Sequence, residues 1–200
     1  MTSSWLPDGI HLAEENRRNL VIVIISGVSG SGKTTVGAML AGRLGWPFAD
    51  ADDFHPDANI EKMRAGIPLT DEDRWPWLRA IAAWMDEHIA RGESAVVGCS
   101  ALRRSYRDLL LDGRPQARMV FLATDSQVLT RRLAARAGHF FPEALLSSQL
   151  ATLEPPGPDE RVIRVVPADT PAGTVDAIIA QLFPDGSAGR ARDGDHEAEA

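Results

Sequence analysis

Residues 20–34 read LVIVIISGVSGSGKT. The first six form a continuous apolar, mostly β-branched run bounded by Gly27, the pattern of a strand buried on both faces in a parallel sheet. Residues 27–34, GVSGSGKT, match G-x-x-x-x-G-K-[ST], and Val36, Met39, Leu40 and Leu44 then recur at helical spacing before a C-capping Gly45. Strand, glycine loop and helix are the context this motif needs. Glycines let backbone N–H groups turn inward around phosphate oxygens, and the helix N-terminus adds its positive end. Of 21 basic residues only Lys33 and Lys62 are lysine, so a lysine at the motif's fixed position is no accident of composition.

Outward from this loop, the 200 residues with 44% hydrophobic and 24% charged content are an ordinary globular chain with one sizeable core. A net charge of -7 argues against a nucleic-acid partner, which requires a basic face. No apolar run reaches the 18 residues of a membrane span, and residues 1–20 lack the apolar stretch of a signal peptide. With Cys99 as the single cysteine, no internal disulfide forms, and a reducing cytoplasmic location is expected.

Alternating patterns continue along the chain. Strands are expected over 46–49, 94–98, 117–122 and 161–166, and helices over 59–65, 70–91, 103–111, 125–137, 142–153 and 170–183, with Thr70 or Asp71 capping the long one and Pro76 in its first turn. Repeated βα units with right-handed crossovers imply one parallel sheet with helices on both faces. Residues 1–19 read as an irregular arm, 20–183 as the domain, and 184–200 as a disordered acidic tail.

The loop implies a nucleotide. Gly27, Ser29, Gly30, Ser31, Gly32, Lys33, Thr34 and Thr35 are the candidates to hold it, with Lys33 reaching the β/γ-phosphates and the Thr34 hydroxyl on Mg²⁺. Residues 50–55, DADDFH, follow the second strand as the glycine loop follows the first, and ligands bind beyond the carboxyl ends of such strands. A spacing of two puts Asp50 and Asp52 on one side of an extended segment, with Asp53 pointing elsewhere. One carboxylate would support the metal through water and the other would orient or deprotonate an acceptor hydroxyl. The plainer reading is a solvated acidic turn with Asp50 as a local cap.

With GVSGSGKT, the strings DADDFHP, NIEKM (59–63), PLTDEDRWPWL (68–78), CSALRRSYRDLL (99–110), RLAARAGHFF (132–141) and EPPGPDERV (154–162) occur in this order, and over residues 20–183 the chain resembles the small P-loop gluconokinases. That resemblance implies an α/β three-layer P-loop NTPase fold with a five-stranded parallel sheet and a mobile lid. It further implies transfer from ATP to the 6-hydroxyl of D-gluconate, and a homodimer.

Within this resemblance, Arg132 and Arg136 share a helix face and would clamp ATP phosphates from the lid, with Arg132 catalytic alongside Lys33 and Asp52; a solvated basic face is the alternative. His139 belongs to the lid and the substrate pocket, or is a histidine satisfied by the backbone. A carboxylate with a row of hydroxyls calls for guanidinium forks and short polar groups. Arg103, Tyr106 and Arg107 are candidates, Arg103 and Arg107 being preferred to Arg104 because they fall on one helical face. His55, Asn59 and Arg74 are further candidates, although Arg74 could pair with Asp71 or Asp73 instead. Cys99 reads as inert core and Trp75, Trp77 and Trp84 as packing. The third strand, SAVVGCS, lacks the Walker-B aspartate, so the metal-supporting role falls to Asp50. A kinase for shikimate, another aldonic acid or a nucleoside monophosphate is the nearest alternative. An acceptor-free nucleotide switch is the other, although a guanine-reading N-K-x-D string is absent.

Overall fold

The computed structural model describes residues 20–125, 128–129 and 143–186. The expected arm, the end of the expected tail, and Arg132, Arg136 and His139 with the expected lid lie outside these residues, as does nearly all of the expected 125–137 helix.

Five parallel strands, β1 (Ile22–Ser26), β2 (Phe48–Asp50), β3 (Ala95–Gly98), β4 (Ala117–Leu122) and β5 (Val162–Val165), form one sheet in the order β2-β3-β1-β4-β5. Between and after them run α1 (Lys33–Leu44), α2 (Asp57–Arg64), α3 (Asp71–Arg91), α4 (Arg104–Leu111), α5 (Glu143–Thr152) and α6 (Pro171–Leu182).

The apolar run of β1 is buried because both of its faces are covered. Ile22 and Ile24 join Leu78, Ile81 and Met85 of α3 and Leu110 of α4 in one cluster, while Val23 and Ile25 join Val36 and Leu40 of α1 and Val175 and Ile178 of α6 in another. The period of two along the strand thus divides one continuous apolar sequence between two cores.

Helix ends follow their local chemistry. Thr70 forms a capping box with Asp73 at the start of α3, and Gly92 closes that helix in the left-handed conformation. Since α3 begins at Asp71, Pro76 falls in its second turn rather than its first, on the exposed side where a lost helical hydrogen bond is tolerated. The second strand lies two residues later than the expected start, at Phe48–Asp50. Residues 51–54 are not extended but wind into a 3-10 turn, because Asp50 Oδ1 accepts the Asp52 N–H at 3.1 Å and caps it.

Register then sets the site. Ile25 pairs with Gly98 and Gly98 with Asp50, so the loops after β1, β2 and β3 leave the sheet side by side at its carboxyl edge. Gly37 of α1 lets the ring of Phe48 lie against the helix; a Cβ there would come within 2.6 Å of it.

Candidate active site

The glycine loop is held open by backbone conformations that side chains disfavour. Gly27 has φ 142° and Gly32 φ 101°, and a Cβ on Gly27 would stand 2.9 Å from Ser31 Oγ and 3.2 Å from the Leu122 carbonyl. Lys33, the first residue of α1, donates from Nζ to the Val28 carbonyl at 3.2 Å and so folds back over the loop. Next to it, the Thr34 hydroxyl donates to Asp50 Oδ2 at 2.7 Å. That bond joins the phosphate loop to the acidic stretch, as the strand register requires. Asp50 is the local cap of the plainer reading, since one carboxylate oxygen caps the 3-10 turn, and its other oxygen holds Thr34.

Past these residues opens a cleft whose walls include Ser29, Lys33, Asp52, His55, Arg74, Trp77, Ser100, Tyr106, Gln149 and Thr152. Asp52 faces this open space. Enough protein surrounds its carboxyl that desolvation, reinforced by Asp50 and Asp53 against the opposing pull of Lys33, raises its pKa above the ordinary 3.8. A carboxylate made more basic beside a phosphate loop is suited to accept a hydroxyl proton.

His55 stacks flat on Trp77, ring centroids 4.4 Å apart, and Trp77 in turn donates its indole N–H to the Ala51 carbonyl at 2.6 Å. Burial, with Arg74 second, lowers the His55 pKa to about 4, so its imidazole is neutral at physiological pH and hydrogen-bonds as an uncharged group. Asn59 does not reach the cleft wall. It is buried behind His55, its side-chain amide donating to the Asp73 carbonyl at 2.9 Å and lying 3.4 Å from His55 Nδ1, which corrects its expected place among the substrate contacts.

The arginines separate clearly. Arg74 lines the cleft, donating to the Tyr106 hydroxyl at 3.3 Å and standing 3.6 Å from Asp71 Oδ1, so the pocket and the ion pair use the same side chain. Arg103 pairs with Asp71 Oδ2 at 2.5 Å, and Tyr106 donates to the other oxygen of Asp71 at 2.6 Å. Both guanidinium carbons lie 5.9 Å from the centroid of the Tyr106 ring. Arg107 is the correction. It is 1% exposed, forks onto Glu160 at 2.6 and 2.9 Å, and gives its remaining nitrogen to the Leu102 and Glu154 carbonyls at 3.0 Å each. Such a buried, committed guanidinium ties α4 to the segment after α5 and is not part of the cleft wall.

Cys99 is buried, with its thiol pushed up to about 12 chiefly by desolvation, and is unreactive at neutral pH. Trp77, read from the sequence as packing, does pack but also forms part of the cleft wall. Gln149 and Thr152, which α5 brings to the cleft, carry no motif that sequence reasoning could have used. A second, more open hollow, lined by Arg104, Asp108, Asp112, Asp159 and Arg161, is ringed by surface ion pairs and lacks the loop and strand ends that give the cleft its chemistry.

Comparison with known proteins gives this geometry its family. The AAA domain family model matches residues 22–156. The gluconokinase of Gluconobacter oxydans (strain 621H) is 52% identical over 143 residues, covering 72% of this chain and 80% of the relative. This chain belongs to the gluconokinase family. The crystal structure of a gluconokinase from Sinorhizobium meliloti 1021 superimposes with a TM-score of 0.70 at 42% identity, covering 84% of this chain and 98% of that one. The fold extends past the gluconokinase family: an APS kinase of Mycobacterium tuberculosis superimposes with a TM-score of 0.60 at 20% identity, covering 82% of this chain and 98% of that one.

Proposed function

We propose that the protein transfers the terminal phosphoryl group of ATP to the 6-hydroxyl of D-gluconate, giving 6-phospho-D-gluconate and ADP. The observation that carries this reading is the opening of the glycine loop, through Lys33, into the same cleft as Asp52, Arg74 and Tyr106. Donor and acceptor halves of a kinase site are there continuous. Family membership selects gluconate as the acceptor.

Phosphoryl transfer depends on positioning and charge neutralisation more than on covalent chemistry by the protein. Loop N–H groups of Gly27 and residues 29–35 hold the phosphates and Lys33 neutralises them. Asp52 accepts the proton of the 6-hydroxyl as its oxygen bonds to phosphorus and the bond to the ADP oxygen breaks. Arg74, with Arg103 at the rim, takes the gluconate carboxylate, while His55 and Tyr106 hydrogen-bond its hydroxyls. Arg132, Arg136 and His139 remain assigned to the phosphate clamp and the substrate pocket.

The donor set fits magnesium. The Thr34 hydroxyl and the Asp50 carboxylate are 2.7 Å apart, oxygens at a phosphate loop suited to an ion that keeps its waters and shares substrate phosphates. No cluster of three or more His, Cys, Asp or Glu forms a metal cage among the described residues, and an ion held in that way needs none. Bound there, magnesium would neutralise the phosphate oxygens and orient the terminal phosphoryl group. A cytoplasmic homodimer completes the proposal; no helix among the described residues is long and apolar enough to cross a membrane.

Phosphorus NMR of a reaction of ATP·Mg²⁺ with gluconate tests this directly. A new phosphomonoester resonance coupled to the C6 methylene protons is expected. Inorganic phosphate as the only product would overturn the proposal.

A further inference from the structure

One contact in the cleft has no place in the mechanism above. The backbone N–H of Ser29, inside the phosphate loop, donates to Gln149 Oε1 at 2.7 Å across 120 residues of sequence. The donor is a main-chain amide, so the side-chain atom facing it is the oxygen. An uncharged oxygen therefore sits where a loop amide would otherwise meet a phosphoryl oxygen.

Where along the phosphate chain this amide acts follows from the cleft walls. Of residues 27–34, only Ser29 and Lys33 line the cleft that also holds Asp52, Arg74 and Tyr106. Ser29 thus faces the acceptor half, where the terminal phosphoryl group must stand to meet a hydroxyl. Inner phosphates belong toward the start of α1, away from Gln149.

Gln149 is not carried there by a loose surface segment. Two residues beyond α5, Glu154 donates its N–H to the Leu102 carbonyl at 2.9 Å, accepts the Arg104 N–H on its side chain at 2.7 Å and accepts Arg107 Nη1 on its carbonyl at 3.0 Å. The helix is pinned one turn after Gln149, with Ser148 and Thr152 of the same helix on the same cleft wall.

We propose that Gln149 is an internal stand-in for the terminal phosphoryl group, a specificity-determining residue that a nucleoside triphosphate must displace from Ser29 and a diphosphate need not. The inference rests on the nucleotide reading of the loop. In the empty or ADP-bound enzyme, the Gln149 oxygen satisfies the Ser29 amide and keeps small anions out of the transfer position. On ATP binding the terminal phosphoryl oxygen, being charged, replaces it because charge-assisted hydrogen bonds are stronger than neutral ones. The carboxamide is then released at the boundary between donor and acceptor.

Calorimetric titration of the full chain with AMP-PNP·Mg²⁺ and with ADP·Mg²⁺ tests this in the wild type, Gln149→Ala and Gln149→Glu. Removing a neutral competitor should tighten AMP-PNP binding about 3- to 10-fold, the worth of one such hydrogen bond, while ADP stays within about twofold. Placing a carboxylate at the same point should weaken AMP-PNP at least tenfold and ADP far less. Gln149→Asn, too short to reach Ser29, should follow Gln149→Ala and serves if the alanine variant folds poorly. Equal shifts for the two nucleotides, or none for either, would overturn the proposal while leaving the kinase reading intact. A wild-type chain that binds neither nucleotide would overturn the reading of the loop itself, and this inference with it.

Discussion

Thr34 Oγ1 and Asp50 Oδ2 are joined by a 2.7 Å hydrogen bond, which locks the first residues of α1 to the end of β2. Neither side chain is buried, so the bond is not there to satisfy a desolvated group; it fixes a hydroxyl and a carboxylate at the point where metal-bound phosphate would lie. On the proposed reading, Asp50 would take the metal-supporting place of the aspartate missing from the end of β3.

For Asp50→Asn, the cap on the Asp52 N–H can be kept by the amide oxygen while the negative charge is lost. The half-saturating Mg²⁺ concentration should rise about 10- to 100-fold, as for lost outer-shell partners, with Tm nearly unchanged. Magnesium-dependence curves check this. An unaltered curve would remove Asp50 from the metal site.

At Asp52 the raised pKa has two consequences. As the proposed proton acceptor, Asp52 must be unprotonated, so the acid limb of kcat/KM against pH should lie above the ordinary carboxylate value of 3.8. For stability the sign is the reverse of a salt-bridged acid: the favourable contribution of the neutral carboxyl is complete below the unfolded-state pKa and is lost as pH rises through the raised folded value. Asp52→Asn should therefore lower turnover at least about 100-fold while raising Tm slightly at pH 7, a gain that vanishes in acid. ATP affinity should stay near wild type. Paired rate and melting measurements decide, and near-normal turnover would take Asp52 out of the mechanism.

His55 gives a second pH signature. Its pKa falls from 6.5 unfolded to about 4 folded, so its contribution to stability is present above 6.5 and is lost as pH drops through that window. Replacing it with Gln should flatten the dependence of Tm on pH between about 6.5 and 4 relative to wild type. Parallel melting curves for the two proteins would show that the neutral, stacked histidine is not what the fold protects.

Arg107 and Arg103 should behave oppositely. Arg107→Ala leaves the Glu160 carboxylate, 5% exposed, without its partner and should cost about 3–5 kcal/mol, on the order of 10 °C in Tm. Arg103→Ala breaks a half-exposed pair and should leave Tm within a few degrees, yet raise the gluconate KM roughly tenfold or more if the guanidinium binds the carboxylate. An Arg107→Ala enzyme with wild-type Tm and a raised KM would return that residue to the substrate site.

The contrast between those two arginines also shows where sequence reading stopped. Local signals sufficed for the loop: β-branched run, glycines, Lys33 and the α1 stripe are contiguous, and strand, turn and helix follow the expected order. The acidic stretch was legible as a site feature, but its 3-10 turn depends on the Asp52 backbone N–H donating to the Asp50 carboxylate. A spacing of four puts Arg103 and Arg107 on one helical face only when both residues are helical. Arg103 is the extended N-cap of α4, so the angular relation does not hold, and Arg107 points inward to a glutamate 53 residues later. Gln149 meets Ser29 across a separation that no periodicity records. Short-range geometry was readable, whereas pairings decided by how α4, α5 and the loops pack were not.

The most direct measurement is ADP release from ATP·Mg²⁺ across gluconate, other aldonic acids, shikimate, AMP and no acceptor. This account expects release that depends on gluconate and falls to background with shikimate, AMP or no acceptor. Release of equal rate with every acceptor and with none would contradict it, leaving a nucleotide-hydrolysing loop without the kinase.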